Sequence, residues 1–287
     1  MKHWLFEQYC RAKHFLARCR YTVSGESPEY LSKDDFKNFL RVYEKHGAFP
    51  IRDYSFEGMS NRAGERCAML NAIENLKGKD VLEIGAADGL VLKECLRYGA
   101  RSAVAVDIED KLHEEAKRSG VKIFKESAES MASLPDSSFD WIYGFSSLEH
   151  ITNIHAVLTE SLRVLRPGGV IYFEAGPLHY SPWGKHYYSI LKIPYVHILF
   201  RPEMLDEYAK LAEKTYPYTN RLSALSYFDL LKDLPKGVLV QDFKHGYDWY
   251  HSDMILRYPS VFKSKHVDFD SFFIDTIKII LRKNSNK

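Results

Sequence analysis

Two acidic side chains close to a glycine-containing stretch are the residues of this chain best suited to bind a ligand. Residues 81–90 read VLEIGAADGL, so that Glu83 precedes two glycines. Residues 103–110 read AVAVDIED, so that Asp107 follows a second apolar run. A carboxylate can pair with an ammonium group or accept hydrogen bonds from ribose hydroxyls. Together the two carboxylates predict a site for one ligand that carries both an amino acid part and a ribose.

The surrounding pattern predicts the elements that position these residues. The short apolar runs at 81–84 and 103–106 are typical of buried parallel strands. Residues 85–89 would form the turn after the first strand, and apolar residues at helical spacing predict a helix over 90–98. A glycine-rich turn between a strand and a helix lets backbone amides approach a ligand closely. Asp107 would stand at the carboxyl end of the second strand.

The turn itself differs from the loops that bind phosphate groups. It has neither the GxGxxG spacing of dinucleotide-binding turns nor the GK[ST] ending of nucleoside triphosphate loops. Glu83, directly before the turn, would also repel a pyrophosphate. A cationic or hydroxyl-bearing ligand suits this turn better.

These features resemble the first motif of class I methyltransferases that depend on S-adenosylmethionine. The acidic-x-Gly-x-Gly-x-Gly pattern of that family is matched by Glu83, Gly85, Ala87 and Gly89, with alanine in place of the middle glycine. Asp107 matches the ribose-binding acid of the family. The resemblance implies a turn that holds the cofactor between the two acidic residues.

Three later segments extend the resemblance over about residues 78–176. Ala128 and Glu129 resemble the segment beside the adenine, although Ser127 stands where many relatives have Asp. FDWIYGFSSLEHI at 139–151 resembles the fourth strand with its loop, and LRVLRPGGVIYFEAG at 162–176 resembles the following helix, turn and fifth strand. The resemblance implies S-adenosylmethionine as cofactor, S-adenosylhomocysteine as product and no metal. The cofactor-binding residues that it implies are Glu83, Gly85, Ala86, Ala87, Gly89, Asp107, Ile108, Ala128, Glu129 and Phe145.

Three histidines are the candidates for catalysis. His150 follows the fourth strand, where the acceptor and the methyl group meet in this family, and an imidazole can take a hydroxyl proton. In some relatives a Glu-His pair at this place holds a metal with a further Glu three residues earlier. Here that position is Ser146, and a purely structural role for the pair is the other alternative. His179 and His186 lie among Tyr180, Trp183, Tyr187 and Tyr188, and aromatic faces of this kind suit sugars.

The composition narrows the class of protein. The chain has 287 residues, of which 45% are hydrophobic, and a formal net charge of +2, so no strong field for nucleic acid is expected. The four cysteines are scattered without a CxxC pair, which indicates reduced thiols and a cytoplasmic location. No apolar run is long enough to predict membrane insertion.

The predicted architecture is α/β, with a seven-stranded, mostly parallel, Rossmann-like class I methyltransferase sheet and helices on both faces. The remaining strands are predicted at 121–124, 140–144, 170–174, 237–241 and 273–282, the last of them antiparallel. Residues 1–60 are predicted as an N-terminal helical cap, with a helix that Ser32 caps and Gly47 ends. Residues 61–287 would form the methyltransferase domain, with an acceptor-binding insertion after strand five at about 176–236.

The acceptor is predicted to be a small molecule. GPLHYSPWGKHYYS at 176–189 resembles a stretch of bacterial methyltransferases that act on sugars or surface polysaccharides. The preferred acceptor is therefore a hydroxyl or phospho-linked group of a sugar or nucleotide sugar in surface polysaccharide biosynthesis. Methyl transfer to oxygen or nitrogen of another small metabolite is the first alternative. A scaffold that binds the cofactor without turnover is the second.

Overall fold

The computed structural model describes residues 2–43, 53–186, 190–213 and 217–285, with the side chains of 2–8 left aside. Gly47, the predicted end of the second helix, lies outside the described residues. So do Tyr187 and Tyr188 of the aromatic segment.

The described residues form one sheet of seven strands in the order β3-β2-β1-β4-β5-β7-β6. The strands are β1 Asp80–Ile84, β2 Ser102–Asp107, β3 Lys122–Lys125, β4 Phe139–Phe145, β5 Leu165–Ala175, β6 Val238–Tyr247 and β7 Ile274–Lys283. β1 to β5 pair in parallel, and β7 pairs antiparallel to β5. This sheet confirms the predicted mostly parallel class I architecture. β5 begins earlier than predicted because Leu165 pairs with Phe139 ahead of an irregularity in register.

Helices alternate with the first strands and cluster before and after them. They are α1 Lys2–Val23, α2 Lys33–Tyr43, α3 Phe56–Ile73, α4 Leu90–Arg97, α5 Glu114–Arg118, α6 Ile154–Val164, α7 Val196–Leu199, α8 Pro202–Leu211, α9 Ala224–Lys232, α10 Ser252–Arg257 and α11 Pro259–Lys263. Ser32 caps α2 as predicted, because its hydroxyl accepts the amide of Asp35 at 3.1 Å while the Asp35 carboxylate accepts the Ser32 amide at 3.0 Å. Among the described residues, no helix is both long enough and apolar enough to cross a membrane.

The chain divides into two compact units, and each consists of separate stretches of sequence. The first unit comprises Met1–Ile51, Gly176–Tyr227 and His245–Thr276. The second comprises Arg52–Ala175, Phe228–Lys244 and Ile277–Lys287. α3 therefore belongs to the unit of the sheet, although it begins before residue 61. The functional division into a cap, a catalytic domain and an acceptor-binding insertion stays a prediction.

Each unit has its own core. In the second unit, Trp141 and Tyr143 of β4 are fully buried among the apolar side chains of α3, α4 and β1. In the first unit, the buried rings of Tyr195, Phe262 and Phe272 meet edge to face at 4.9 and 5.0 Å. The Tyr195 hydroxyl donates to the carbonyl of Phe272 at 2.7 Å, so the buried phenol is satisfied.

A group of charged side chains joins β1, β2, β4 and β5 at the amino-terminal ends of these strands. Asp80, at the start of β1, accepts hydrogen bonds from the guanidinium of Arg101 before β2 and from the Ser102 hydroxyl at 2.7 Å. Arg166 of β5 donates to both Asp80 and Asp140 of β4 at 2.8 Å. The hydrogen bonds from Arg101, above all, hold the pKa of Asp80 well below its usual range.

Replacing Asp80 by Asn should lower the free energy of unfolding by about 1–3 kcal/mol at pH 7, because charge-assisted hydrogen bonds are lost. The folded state lowers the pKa of this carboxyl, so its contribution is complete above the unfolded pKa of about 4. The contribution should disappear as the pH falls through the lowered pKa. Urea unfolding of wild type and Asp80→Asn between pH 2 and 7 measures this difference.

Asp229→Asn is the control, because Asp229 is exposed and pairs with Lys232 on the same helix. Such surface pairs contribute little, about 0.5 kcal/mol. Equal stability of Asp80→Asn and wild type at pH 7 would show that the charged group does not hold the strands together.

Candidate functional site

The turn after β1 is tight and has three residues in left-handed conformations. Gly85, Ala87 and Gly89 have φ angles of +70°, +46° and +68°. A Cβ at Gly85 would lie 2.6 Å from the Cβ of Ser147, so no larger residue fits. The Gly85 amide also donates to the Val106 carbonyl at 2.8 Å, which continues the β1–β2 pairing into the turn. The turn is therefore held close against its neighbours, as the glycines predict.

Asp107 connects this turn to the end of β2. Its Oδ2 accepts the amide of Ala87 at 3.1 Å, and its Oδ1 accepts the amide of Glu109 at 3.0 Å. Each carboxylate oxygen has two acceptor positions. Asp107 can therefore hold the turn and still accept hydrogen bonds from hydroxyl groups of a ligand. The bond to Ala87 also stabilises the unusual backbone of that residue.

A cavity of about 360 Å³ lies at the carboxyl ends of β1, β2 and β4. Its lining residues are Ile84, Gly85, Val106, Asp107, Ile108, Glu126, Ser127, Ala128, Glu129, Ser146, Ser147, His150, Ile151 and Thr152. Six predicted site residues are among them. Ile108 is 70% exposed on this wall, so its aliphatic side chain is available to pack against an apolar ring of a ligand.

Glu129 stabilises the loop that carries His150. Its Oε1 accepts the amides of Thr152 at 3.2 Å and Asn153 at 2.8 Å. Asn153 in turn caps α6, because its side-chain oxygen accepts the amide of Ala156 at 3.0 Å. The predicted position of Glu129 beside the ligand is thus combined with a clear structural function.

Four predicted cofactor residues other than Glu83 do not line this cavity. Ala86, Ala87 and Gly89 belong to the turn but are not on the cavity wall. The ring of Phe145 is buried and lies 4.4 Å below the guanidinium of Arg66. The backbone contact predicted for Phe145 stays a prediction.

Glu83 is buried in the core of the second unit and does not line the cavity. Its carboxyl accepts a hydrogen bond from the Tyr143 hydroxyl at 3.4 Å. Burial, followed by the nearby Cys95, raises the pKa of Glu83 well above its usual value. A cationic ligand group close to it would favour the ionised form. Its role as partner of an amino group stays a prediction.

The three candidate histidines are divided between the units. His150 ends a short 3-10 helix, Leu148–His150, and lines the cavity of the second unit. His179 and His186 belong to the first unit. Burial, with smaller effects of Arg221 and Lys185, lowers the pKa of His179 to about 3. His186 has a φ of +60°, and its Nε2 lies 3.2 Å from the Pro177 carbonyl oxygen. A catalytic role for each of them stays a prediction.

The sequence interpretation missed several cavity residues in the loop after β4. Ser147, Ile151 and Thr152 were not proposed, although they line the cavity. The signal was present in the strand pattern, because this loop follows the carboxyl end of β4. β1 pairs with both β2 and β4, so the three loop ends must lie side by side.

Gly85→Ala should destabilise the protein more than the same substitution at another glycine with a similar positive φ. Gly78 is the matched control, because its φ is +73° and a Cβ there would meet nothing within 4 Å. We expect Gly78→Ala to lower the free energy of unfolding by about 1 kcal/mol and Gly85→Ala by about 1–3 kcal/mol more. Chemical unfolding of both variants measures the difference.

The double variant Gly85→Ala/Ser147→Gly removes the atom that the new methyl group would meet. It should recover most of the extra loss, because only the backbone strain remains. A double variant as unstable as the sum of the two single variants would contradict the proposed contact.

Comparison with known proteins agrees with this geometry. Residues 82–173 match the family described as a methyltransferase domain, which includes the turn, Asp107 and β4. A protein of Haemophilus influenzae described as uncharacterized is 29% identical over 153 residues, covering 50% of this chain and 58% of that protein. A ubiquinone biosynthesis O-methyltransferase of Methylococcus capsulatus is 26% identical over 115 residues, covering 38% of this chain and 48% of the enzyme. The chain thus spans about half the length of the curated relatives it matches.

A solved structure resembles the fold. The crystal structure of an S-adenosylmethionine-dependent methyltransferase from Mesorhizobium loti superposes with a TM-score of 0.50 at 14% identity, covering 78% of this chain and 100% of that chain. At this identity the likeness concerns the fold alone. The sheet of this chain has the class I methyltransferase fold, and its central segment matches a methyltransferase domain.

Proposed function

We propose that this chain transfers the methyl group of S-adenosylmethionine to a small-molecule acceptor. The observation that carries the proposal is the position of Asp107. Its carboxylate binds the amide of Ala87 in the turn and stands on the wall of the cavity at the ends of β1, β2 and β4. The class I fold implies S-adenosylmethionine as methyl donor.

The cavity residues fit the adenosyl part of this cofactor. Asp107 has acceptor positions left for the two ribose hydroxyls. The exposed side chain of Ile108 and the small Ala128 offer an apolar wall for a flat ring. The hydroxyl of Ser127, which accepts the Glu129 amide at 3.2 Å, provides a polar group beside that wall.

Bound S-adenosylmethionine supplies a methyl group made electrophilic by its sulfonium. The chain's own residues would hold the acceptor in line and exclude water, which accounts for much of the acceleration in such reactions. His150, on the cavity wall, would accept the proton of an acceptor hydroxyl at its imidazole. We expect no metal in this reaction.

The acceptor that we favour is a hydroxyl or phospho-linked group of a sugar or nucleotide sugar, consistent with a role in surface polysaccharide biosynthesis. The aromatic segment that begins at Gly176 supports this choice. Its Trp183 ring lies edge to face with His251 at 5.3 Å, and its Tyr180 and His179 rings lie 5.0 Å apart. Aromatic rings of this kind pack against the apolar faces of sugars. We expect the reaction to take place in the cytoplasm.

Methyl transfer to another small metabolite is the alternative. Its support is the similarity to the ubiquinone biosynthesis O-methyltransferase of Methylococcus capsulatus over 115 residues. A scaffold that binds the cofactor without turnover is the remaining possibility from a different functional class.

Asp107→Asn should weaken S-adenosylmethionine binding by about 10- to 100-fold, since a charge-assisted hydrogen bond is worth about 1.5–3 kcal/mol. Asp110→Asn is the control, because Asp110 is a nearby exposed carboxylate outside the cavity wall. Isothermal titration calorimetry gives both affinities. Unchanged binding by Asp107→Asn would remove Asp107 from the cofactor site.

His150→Gln should lower turnover by about 10²- to 10⁴-fold if His150 is the general base, and should leave cofactor affinity within about twofold. Formation of S-adenosylhomocysteine with a panel of sugar acceptors measures turnover. Full activity of the variant would exclude His150 as base.

Cofactor binding without product on any acceptor pool would favour the scaffold. Loss of activity in EDTA that Mg²⁺ restores would contradict the metal-free reaction.

A further inference from the structure

The first unit contains a further cavity, of about 450 Å³, and all of its described lining residues belong to that unit. Three cationic side chains stand on its wall: Lys185, Arg221 and Lys265. They come from three distant parts of the chain, so no local sequence motif contains them. This volume lies within the range of small-molecule sites, about 300–1,000 Å³.

Lys265 is a half-buried cation whose nearest partners are not carboxylates. Its Nζ donates to the backbone carbonyl of Glu29 at 2.7 Å and lies 3.6 Å from the centre of the Tyr30 ring. Burial lowers the pKa of Lys265 to about 8. Within the described ranges, neither Lys265 nor Arg221 forms an ion pair with a carboxylate. An anion that bound here would pair with a cation that is already partly removed from water, so less of the desolvation cost would fall on binding.

Two of these cations act on the side chain of His179, which lines the same cavity. After burial, Arg221 and Lys185 are the causes that lower the pKa of this histidine to about 3. The ring is therefore neutral at physiological pH. Its neighbour His197 is held in place by the carbonyl of His179. Arg221 and Lys185 therefore both lie close enough to His179 to act on it, although they are distant along the chain.

The wall also carries groups that suit hydroxyls. The carboxyl-bearing residues Glu29 and Asp206 line the cavity, and so do Tyr30 and Tyr180. Carboxylates accept hydrogen bonds from sugar hydroxyls, and they oppose ligands with many negative charges. A compound with one phosphate group and several hydroxyls satisfies both sets of residues.

We propose that this cavity binds the phosphate ester of a sugar, with Arg221, Lys185 and Lys265 as the cations for the phosphate and Glu29 and Asp206 as acceptors for the hydroxyls. The same chemistry is found in a simple sugar phosphate and in a nucleotide sugar. The assignment of this ligand as methyl acceptor rests on the proposed function, whereas its binding does not.

The test measures binding of glucose 1-phosphate, UDP-glucose, UMP, inorganic phosphate and methyl glucoside to the full chain by calorimetry. Glucose 1-phosphate or UDP-glucose should bind at least tenfold more tightly than inorganic phosphate or methyl glucoside. UDP-glucose binding no better than UMP, together with no binding of glucose 1-phosphate, would overturn the sugar assignment. No binding of any phosphate compound at about 10 mM would overturn the site.

Arg221→Met and Lys265→Met should each raise the Kd of the tighter sugar phosphate at least tenfold. Lys37→Met is the matched control, because Lys37 is exposed on α2 and pairs with Asp34; its Kd should stay within twofold of wild type. Lys265→Arg should retain most of the affinity. Unchanged affinity in both methionine variants would overturn the proposal.

A measurement on the wild-type protein keeps the proposal testable if these variants do not fold. The sugar phosphate should protect Lys185 and Lys265 from acylation, mapped by mass spectrometry, while Lys37 reacts as before. Equal acylation of all three with and without the compound would overturn the site. S-adenosylmethionine affinity, measured in the same samples, reports separately on the proposed function, because the methionine variants should leave it unchanged.

Discussion

The hydrogen bond from the Ala87 amide to the Asp107 carboxylate is the interaction on which the proposed cofactor site depends. It links the turn after β1 to the end of β2, so neither strand alone carries the site. Ala87 has a φ of +46°, which costs energy in an L-residue, and the bond offsets part of that cost. The same carboxylate stands on the cavity wall. One side chain therefore both shapes the turn and offers acceptors to the ligand.

The loop after β4 forms another part of the cavity wall. Gly85 approaches Ser147 so closely that a side chain there would displace the loop. Glu129 binds the amides of Thr152 and Asn153 at the far end of the same loop. At the opposite edge of the sheet, Asp80 and its arginine partners join the strands. Charged contacts join the strands at their amino-terminal ends. Backbone turns and a few carboxylates shape the cavity at their carboxyl ends.

Charge is distributed unevenly over this nearly neutral chain. The formal net charge of +2 argues against a polyanion such as nucleic acid, yet it hides local concentrations of charge. In the first unit, Lys185, Arg221 and Lys265 line one cavity with two acidic residues. In the second unit, three acidic residues, Asp107, Glu126 and Glu129, line the cavity at the carboxyl ends of β1, β2 and β4. The two cavities therefore differ in the charges on their walls, although the net charge of the chain is small.

Local pattern by itself determined the strands and the turn, and it predicted Asp107 as an acid for ribose hydroxyls. The apolar runs before Gly85 and before Asp107 are typical of buried strands, and a glycine-rich turn between strand and helix has few conformations. Tertiary structure alone decided that Glu83 faces Tyr143 in the core. A strand that is buried on both faces does not alternate between apolar and polar residues, so its sequence does not show toward which face a given side chain points. It also decided that three separate stretches build the first unit and that Lys185, Arg221 and Lys265 meet there. Contacts between residues so distant along the chain depend on packing, which residue spacing does not record.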